Sequence, residues 1–186
     1  AVKGIGAALA ARIVKKFGED TFRIMEEEPE RLAEIKGISE RMAREISRQA
    51  SEQRNMRRAM IFLQQYGITL NLGVRIYREY GEDMYSLLKE NPYRLAEDID
   101  GVGFRTADAI ASRIGIQSDS DYRIRCGILY TLANAAGEGS VYLPESELTA
   151  RASELLGVPE EAVSGQLSDL AIERKVVVRE HFRKEP

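Results

Sequence analysis

Apolar residues along this chain fall at helical rather than alternating spacing, in short blocks that open on a glycine and close on a glycine or proline. One ten-residue pattern recurs four times: a glycine, then Ile or Val, a small residue six places after the glycine, and an isoleucine nine places after it. The copies are Gly4-Ile5…Ala10…Ile13, Gly37-Ile38…Ala43…Ile46, Gly67-Ile68…Gly73…Ile76 and Gly101-Val102…Ala107…Ile110. The small residue and the isoleucine share a helix face, so each copy predicts a tight turn opening into a closely packed helix. The first and last copies open as Gly4-Ile5-Gly6 and Gly101-Val102-Gly103. These predict hairpins whose glycines adopt positive φ and whose backbone N–H groups stay free to cradle a phosphate oxygen.

The pattern has a second order. A shift of 63 residues lays 4–34 on 67–97, pairing Leu9 with Leu72, Arg12 with Arg75, Ile13 with Ile76, Gly18 with Gly81 and Pro29 with Pro92. One inserted residue moves the shift to 64, pairing Gly37 with Gly101, Arg41 with Arg105 and Ile46 with Ile110. The chain therefore reads as two tandem units of two hairpins each.

Within unit one, Leu9, Ile13, Val14 and Phe17 predict one apolar helix face ending at Gly18, and Phe22, Ile24 and Met25 a short second helix. Pro29 opens a turn through Leu32. The Gly37 hairpin then leads into a helix to about residue 54, and Met60, Ile61 and Leu63 continue as a connector helix. Unit two repeats the course through Leu72, Ile76 and Tyr80, then Tyr85, Leu87 and Leu88, then Pro92 and a helix over 107–114. The last third predicts a helix over 123–136, a short extended segment Val141-Tyr142-Leu143, helices over 145–156 and 159–172, and a terminal strand Val176-Val177-Val178. The predicted fold is mainly α: two tandem double helix-hairpin-helix units followed by a small winged-helix-like module. The boundaries are 1–52, a connector at 53–65, 66–117 and 118–186.

Composition narrows function. No apolar run is long enough to span a membrane, and one cysteine, Cys126, fits a reducing, cytoplasmic setting. The lone His181 and Cys126 cannot build a zinc site. The net charge of −3 argues against bulk electrostatic capture of nucleic acid. Its distribution changes that picture: residues 1–65 carry 13 Lys/Arg against 10 Asp/Glu, whereas 118–186 carry 8 against 12, so a phosphate-binding face belongs in the first third. No GxxxxGK[ST] loop, metal-ligand cluster or nucleophile with a base partner is present, so the chain is read as non-catalytic and free of cofactor. The run Glu26-Glu27-Glu28 reads as a solvated face, because successive helical side chains diverge.

The DNA-binding candidates are the hairpins and the cations around them: Lys3, Gly4, Ile5, Gly6, Arg12, Lys15 and Lys16 at the first, Lys36, Gly37, Ile38, Ser39 and Arg41 at the second, and Gly101, Gly103 and Arg105 at the fourth. Backbone contact with phosphate carries no base information, so such binding is indifferent to sequence. The alternative is that the hairpins only pack. In the third copy Thr69 replaces the second glycine, and Glu97, Asp98 and Asp100 crowd the fourth. The acidic helix around Glu160, Glu161 and Asp169 is unsuited to a DNA groove and reads as a packing surface.

Lys3-Gly4-Ile5-Gly6, Asn91-Pro92-Tyr93-Arg94-Leu95-Ala96, Asp100-Gly101-Val102-Gly103-Phe104, Ala107-Asp108-Ala109-Ile110-Ala111 and Tyr142-Leu143-Pro144 resemble the N-terminal extension of long-form RecD/TraA-type DNA helicases of superfamily 1. The resemblance implies an accessory region of a bacterial ATP-dependent 5′ to 3′ helicase acting in DNA repair or recombination. Its motor would lie beyond Pro186, and ATP and Mg would belong to that motor. The implied partners are DNA, single-stranded or forked, and the motor of the same chain. The rival reading is an interaction scaffold docking on the motor or on a repair partner through the acidic module.

Overall fold

In this computed structural model residues 3–180 are described, and the reading of His181 and of the residues after it lies outside them. The chain forms two compact units, residues 1–65 and 66–186.

In the first unit, α1 (Ala7–Phe17) ends at Gly18, α2 (Thr21–Glu27) follows a single 3₁₀ turn, and a second 3₁₀ turn, Pro29–Glu34, leads into the hairpin before α3 (Glu40–Gln64). Its core joins Ile13, Phe17, Ile24, Met25, Leu32, Ile35, Ile38, Ala43 and Ile46. The buried stripe is narrower than the apolar pattern predicts. Val14, Phe22 and Ile61 are exposed, because Ile13 and Phe17 fill the α1 face and Thr21, Ile24 and Met25 that of α2. The helix expected to about residue 54 and the connector helix expected after it form one unbroken helix to Gln64.

The second unit repeats the sequence of elements as α4 (Leu70–Tyr80), α5 (Met84–Glu90), α6 (Arg94–Asp98) and α7 (Phe104–Ile114). It continues into α8 (Asp121–Gly137), α9 (Glu145–Leu156) and α10 (Glu160–Ile172). These last helices share one core with the repeat: Tyr93, Phe104, Ala107 and Ala111 pack with Ile124, Ile128, Leu148, Leu156, Val163 and Leu170. The α8–α9 approach depends on Gly127, where a Cβ would come within 2.6 Å of Leu156. The strands expected at 141–143 and 176–178 do not form, and no strand is present among the described residues. Leu143 and Val176 rest on the helical core while Val141, Val177 and Val178 face outward. β-branched side chains favour a strand only where a second strand supplies the ladder.

Repeat and terminal helices are clasped by charge. The Arg123 guanidinium donates to both Asp108 carboxylate oxygens at 2.8 and 3.2 Å, and to the carbonyls of Ser118 and Leu156 at 2.7 Å each. The Tyr93 hydroxyl donates to the same carboxylate at 2.6 Å. Burial, and then that bond to Asp108, push the Tyr93 hydroxyl above its usual range, so it stays a donor. The Tyr93 ring stacks on Phe104, which in turn meets Tyr130.

Arg123→Ala leaves the half-buried Asp108 carboxylate without its cationic partner and is expected to cost about 3 kcal/mol in urea unfolding. Arg44→Ala, at the position of unit one that matches Asp108, is expected to cost less than about 0.5 kcal/mol, because its only ion pair among the described residues, with Glu40, is solvated. Equal costs for the two substitutions would contradict the clasp.

Candidate nucleic-acid interface

Each hairpin is built the same way. The leading glycine takes positive φ, at 88° for Gly4, 101° for Gly37, 70° for Gly67 and 78° for Gly101. The aliphatic residue after it is drawn inward: Ile38, Ile68 and Val102 are buried and Ile5 is half-buried on the core. The third residue is the N-cap of the following helix, and here the structure corrects the sequence reading. Gly6 and Gly103 have φ of −73° and −93°, so only the first glycine of each pair uses the left-handed region.

What the second glycine removes is a side chain. Ser39 Oγ accepts the Met42 amide at 3.2 Å and Thr69 Oγ1 accepts the Leu72 amide at 3.4 Å, so the second and third hairpins cap their own helices. Thr69 is therefore a working cap rather than a lost glycine. No side chain caps α1 at Gly6 or α7 at Gly103, and the orphan amides of those first turns are left for another acceptor.

The cations divide into two sets. Lys3, Lys15, Lys36, Arg41 and Arg105 are exposed and make no ion pair among the described residues. Lys16 is engaged by Glu34 at 2.8 Å and lies 5.6 Å over the Phe17 ring. Arg12 donates to the Lys36 carbonyl at 3.0 Å. At the fourth hairpin, Asp98 accepts from the Tyr80 hydroxyl at 2.8 Å and from Arg94 at 3.1 Å, which offsets part of the acidic crowding. Sequence reading passed over one feature beside the third hairpin: a cleft of about 470 Å³ flanked by Arg105 and Arg113, with Thr69 and Thr106 in its wall and no carboxylate. The regular spacing of Arg105, Ala109 and Arg113 along one helix face was the available signal.

Among the described residues no group of three His, Cys, Asp or Glu can hold a metal. The sequence carries no GxxxxGK[ST] phosphate loop. Burial pushes the Cys126 thiol up to about 12, which leaves it protonated and unreactive near neutrality. No described helix is long and apolar enough to cross a membrane.

Two families of known proteins match. Residues 52–142 match the family described as ATP-dependent RecD2 DNA helicase HHH domain, and residues 1–52 match the SAM-like helix-hairpin-helix tandem. A curated relative, the ATP-dependent RecD2 DNA helicase of Deinococcus radiodurans, is 32% identical over 146 residues, which cover 78% of this chain and 20% of the relative. The chain thus spans about a fifth of the length of the curated relative it matches.

Glu40, Glu45 and Glu52 stand among the cations of α3. Hydrogen bonds from Arg48 and Gln49 hold Glu45 down to about 2, with Arg41 adding a weaker pull. Its folded value lies below the ordinary one, so the contribution of its charged form is fully present above the ordinary carboxylate pKa and is lost progressively as pH falls from there through about 2. Glu45 therefore stays ionised beside Arg41 at every pH used for binding. Carboxyl-carbon NMR should place its midpoint near 2, and Arg48→Gln should return it toward 4.5; a midpoint near 4.5 in the unsubstituted chain would contradict the contact.

Proposed function

This chain belongs, as a helix-hairpin-helix region, to the RecD-type DNA helicases, and on that footing we propose that it is a non-catalytic accessory region gripping DNA phosphates without regard to sequence. The observation that carries the proposal is the pair of uncapped helix starts at Gly6 and Gly103, each beside an exposed cation with no ion pair among the described residues, Lys3 and Arg105. Lys36 and Arg41 add charge at the second hairpin. Three cations of the first unit, Lys3, Lys36 and Arg41, and a few amides neutralise few phosphates, so the isolated chain binds weakly and loses DNA as salt rises. ATP, Mg and unwinding belong, in this proposal, to a motor in the remainder of a longer protein, to which these hairpins deliver or from which they receive a strand. Repair or recombination is the setting in which such a grip serves.

A second reading is favoured by the terminal helices, where Val141, Val177 and Val178 line an open apolar groove and Glu160 and Glu161 are exposed. In it the α8–α10 module docks on the motor or a repair partner, and charge reversal at Glu160 and Glu161 disturbs that contact while leaving DNA affinity unchanged.

Fluorescence anisotropy with a labelled single strand tests the first reading. Binding should fall with salt at a log–log slope of about −2, the value for three phosphates on a single strand, and should not depend on base sequence. Lys36→Glu with Arg41→Glu should abolish it while far-UV circular dichroism stays unchanged. Undiminished affinity in that double variant would overturn the site.

A further inference from the structure

Arg12 was expected to meet DNA, yet its guanidinium is turned to the Lys36 carbonyl at 3.0 Å, immediately before Gly37. The same contact recurs at the matching positions of the second unit, where Arg75 donates to the Asp100 carbonyl immediately before Gly101. A reciprocal contact runs the other way. Arg113 of α7 donates to the Tyr66 carbonyl at 3.2 Å, before Gly67, and the matching pair in unit one is Gln49, whose side-chain oxygen accepts the Lys3 amide at 2.7 Å, before Gly4. Donor and acceptor exchange roles between units, but the paired positions are conserved under the 63- and 64-residue shifts. In both units, then, the helix behind each hairpin is tied to the residue that opens the other one.

We propose that Arg12 and Arg75 are positioning residues that aim the hairpin amides, rather than phosphate contacts themselves. A trans peptide is planar, with its carbonyl and N–H pointing to opposite sides. Holding the Lys36 carbonyl toward α1 therefore turns the Gly37 N–H away from it, and holding the Asp100 carbonyl does the same for the Gly101 N–H. The glycine after each carbonyl has the widest freedom of any residue, so without the tie this peptide is the least constrained in the hairpin. The contact keeps its form where the carbonyl belongs to a basic residue, Lys36, and where it belongs to an acidic one, Asp100. That indifference to local charge fits a geometric role and not attraction of an anion. The inference rests on the DNA-binding reading for its purpose, while the tie itself is measurable without DNA.

The test uses the whole chain, isotopically labelled, with Arg12→Gln and, as a control, Lys15→Gln, an exposed cation of the same helix with no ion pair among the described residues. In the DNA-free chain, Arg12→Gln should shift the Gly37 and Ile38 amide resonances and speed their hydrogen exchange while the thermal midpoint stays in place; Lys15→Gln should do neither. With a labelled single strand, Arg12→Gln should weaken binding about fivefold with the salt slope unchanged. Unmoved Gly37 and Ile38 amides, a salt slope shallower by about 0.7 as for one lost phosphate contact, or shifted amides with undiminished affinity would each overturn the assignment. If the unsubstituted chain fails to bind the strand, the DNA reading falls, and the amide shifts alone decide whether the tie exists. Arg75→Gln, read at Gly101 and Val102, repeats the test in the second unit.

Discussion

A three-residue turn governs this molecule: a glycine at positive φ, an aliphatic side chain driven into the core, and a residue that starts a helix. The buried Ile or Val fixes where the turn sits, because removing that side chain from the core would expose apolar surface worth about 2 kcal/mol. The small residue and isoleucine one and two turns later hold the new helix against its neighbours. Ala43 and Ala107 are fully buried, as is Ile76, so these positions have no room for larger side chains without displacement. The backbone amides at the turn are thereby fixed in space by hydrophobic packing behind them, which is what an anion-binding turn needs and what loop residues alone do not supply.

The two units share this grammar and diverge in what covers their flanks. In the second, Tyr93, Phe104 and Asp108 reach the terminal helices and clasp Arg123. The matching positions of the first are Glu30, Glu40 and Arg44, and among the described residues Arg44 pairs only with Glu40, in solvent. The segments that carry the family resemblance, Asn91-Pro92-Tyr93 and Ala107-Asp108, are thus the parts of a structural joint: Asn91 accepts the Tyr93 amide, Pro92 is fully buried and Asp108 is the hub. Recognition of the family rested on residues that hold the fold together, while the residues offered to DNA are the less distinctive glycines and lysines.

Much of the helix content was legible because glycine and proline mark the boundaries, with Gly18, Gly81 and Gly115 all standing at helix ends. The terminal strands were misread because Val176-Val177-Val178 carries a local preference and no information about a pairing partner. Val14 was placed on the apolar face of the first helix yet is exposed, because periodicity tells which residues share a side and not how wide the neighbour is. At the candidate site, the glycines, Lys36 and Arg41 were visible as a motif. The ties of Arg12 and Lys16 were not, since each depends on a residue some twenty positions away in sequence. The identity of Arg12 with Arg75 across the repeat was the one hint that the position serves the fold of the hairpin.

The central claim is that backbone amides of the uncapped hairpins receive phosphate. Titrating the ¹⁵N-labelled chain with a short single strand and following every backbone amide tests it most directly. The account predicts the largest shifts at Gly6 and Ala7 and at Gly103 and Phe104, with smaller ones at Ser39. Shifts confined to α8–α10, with the hairpin amides unmoved, would contradict it.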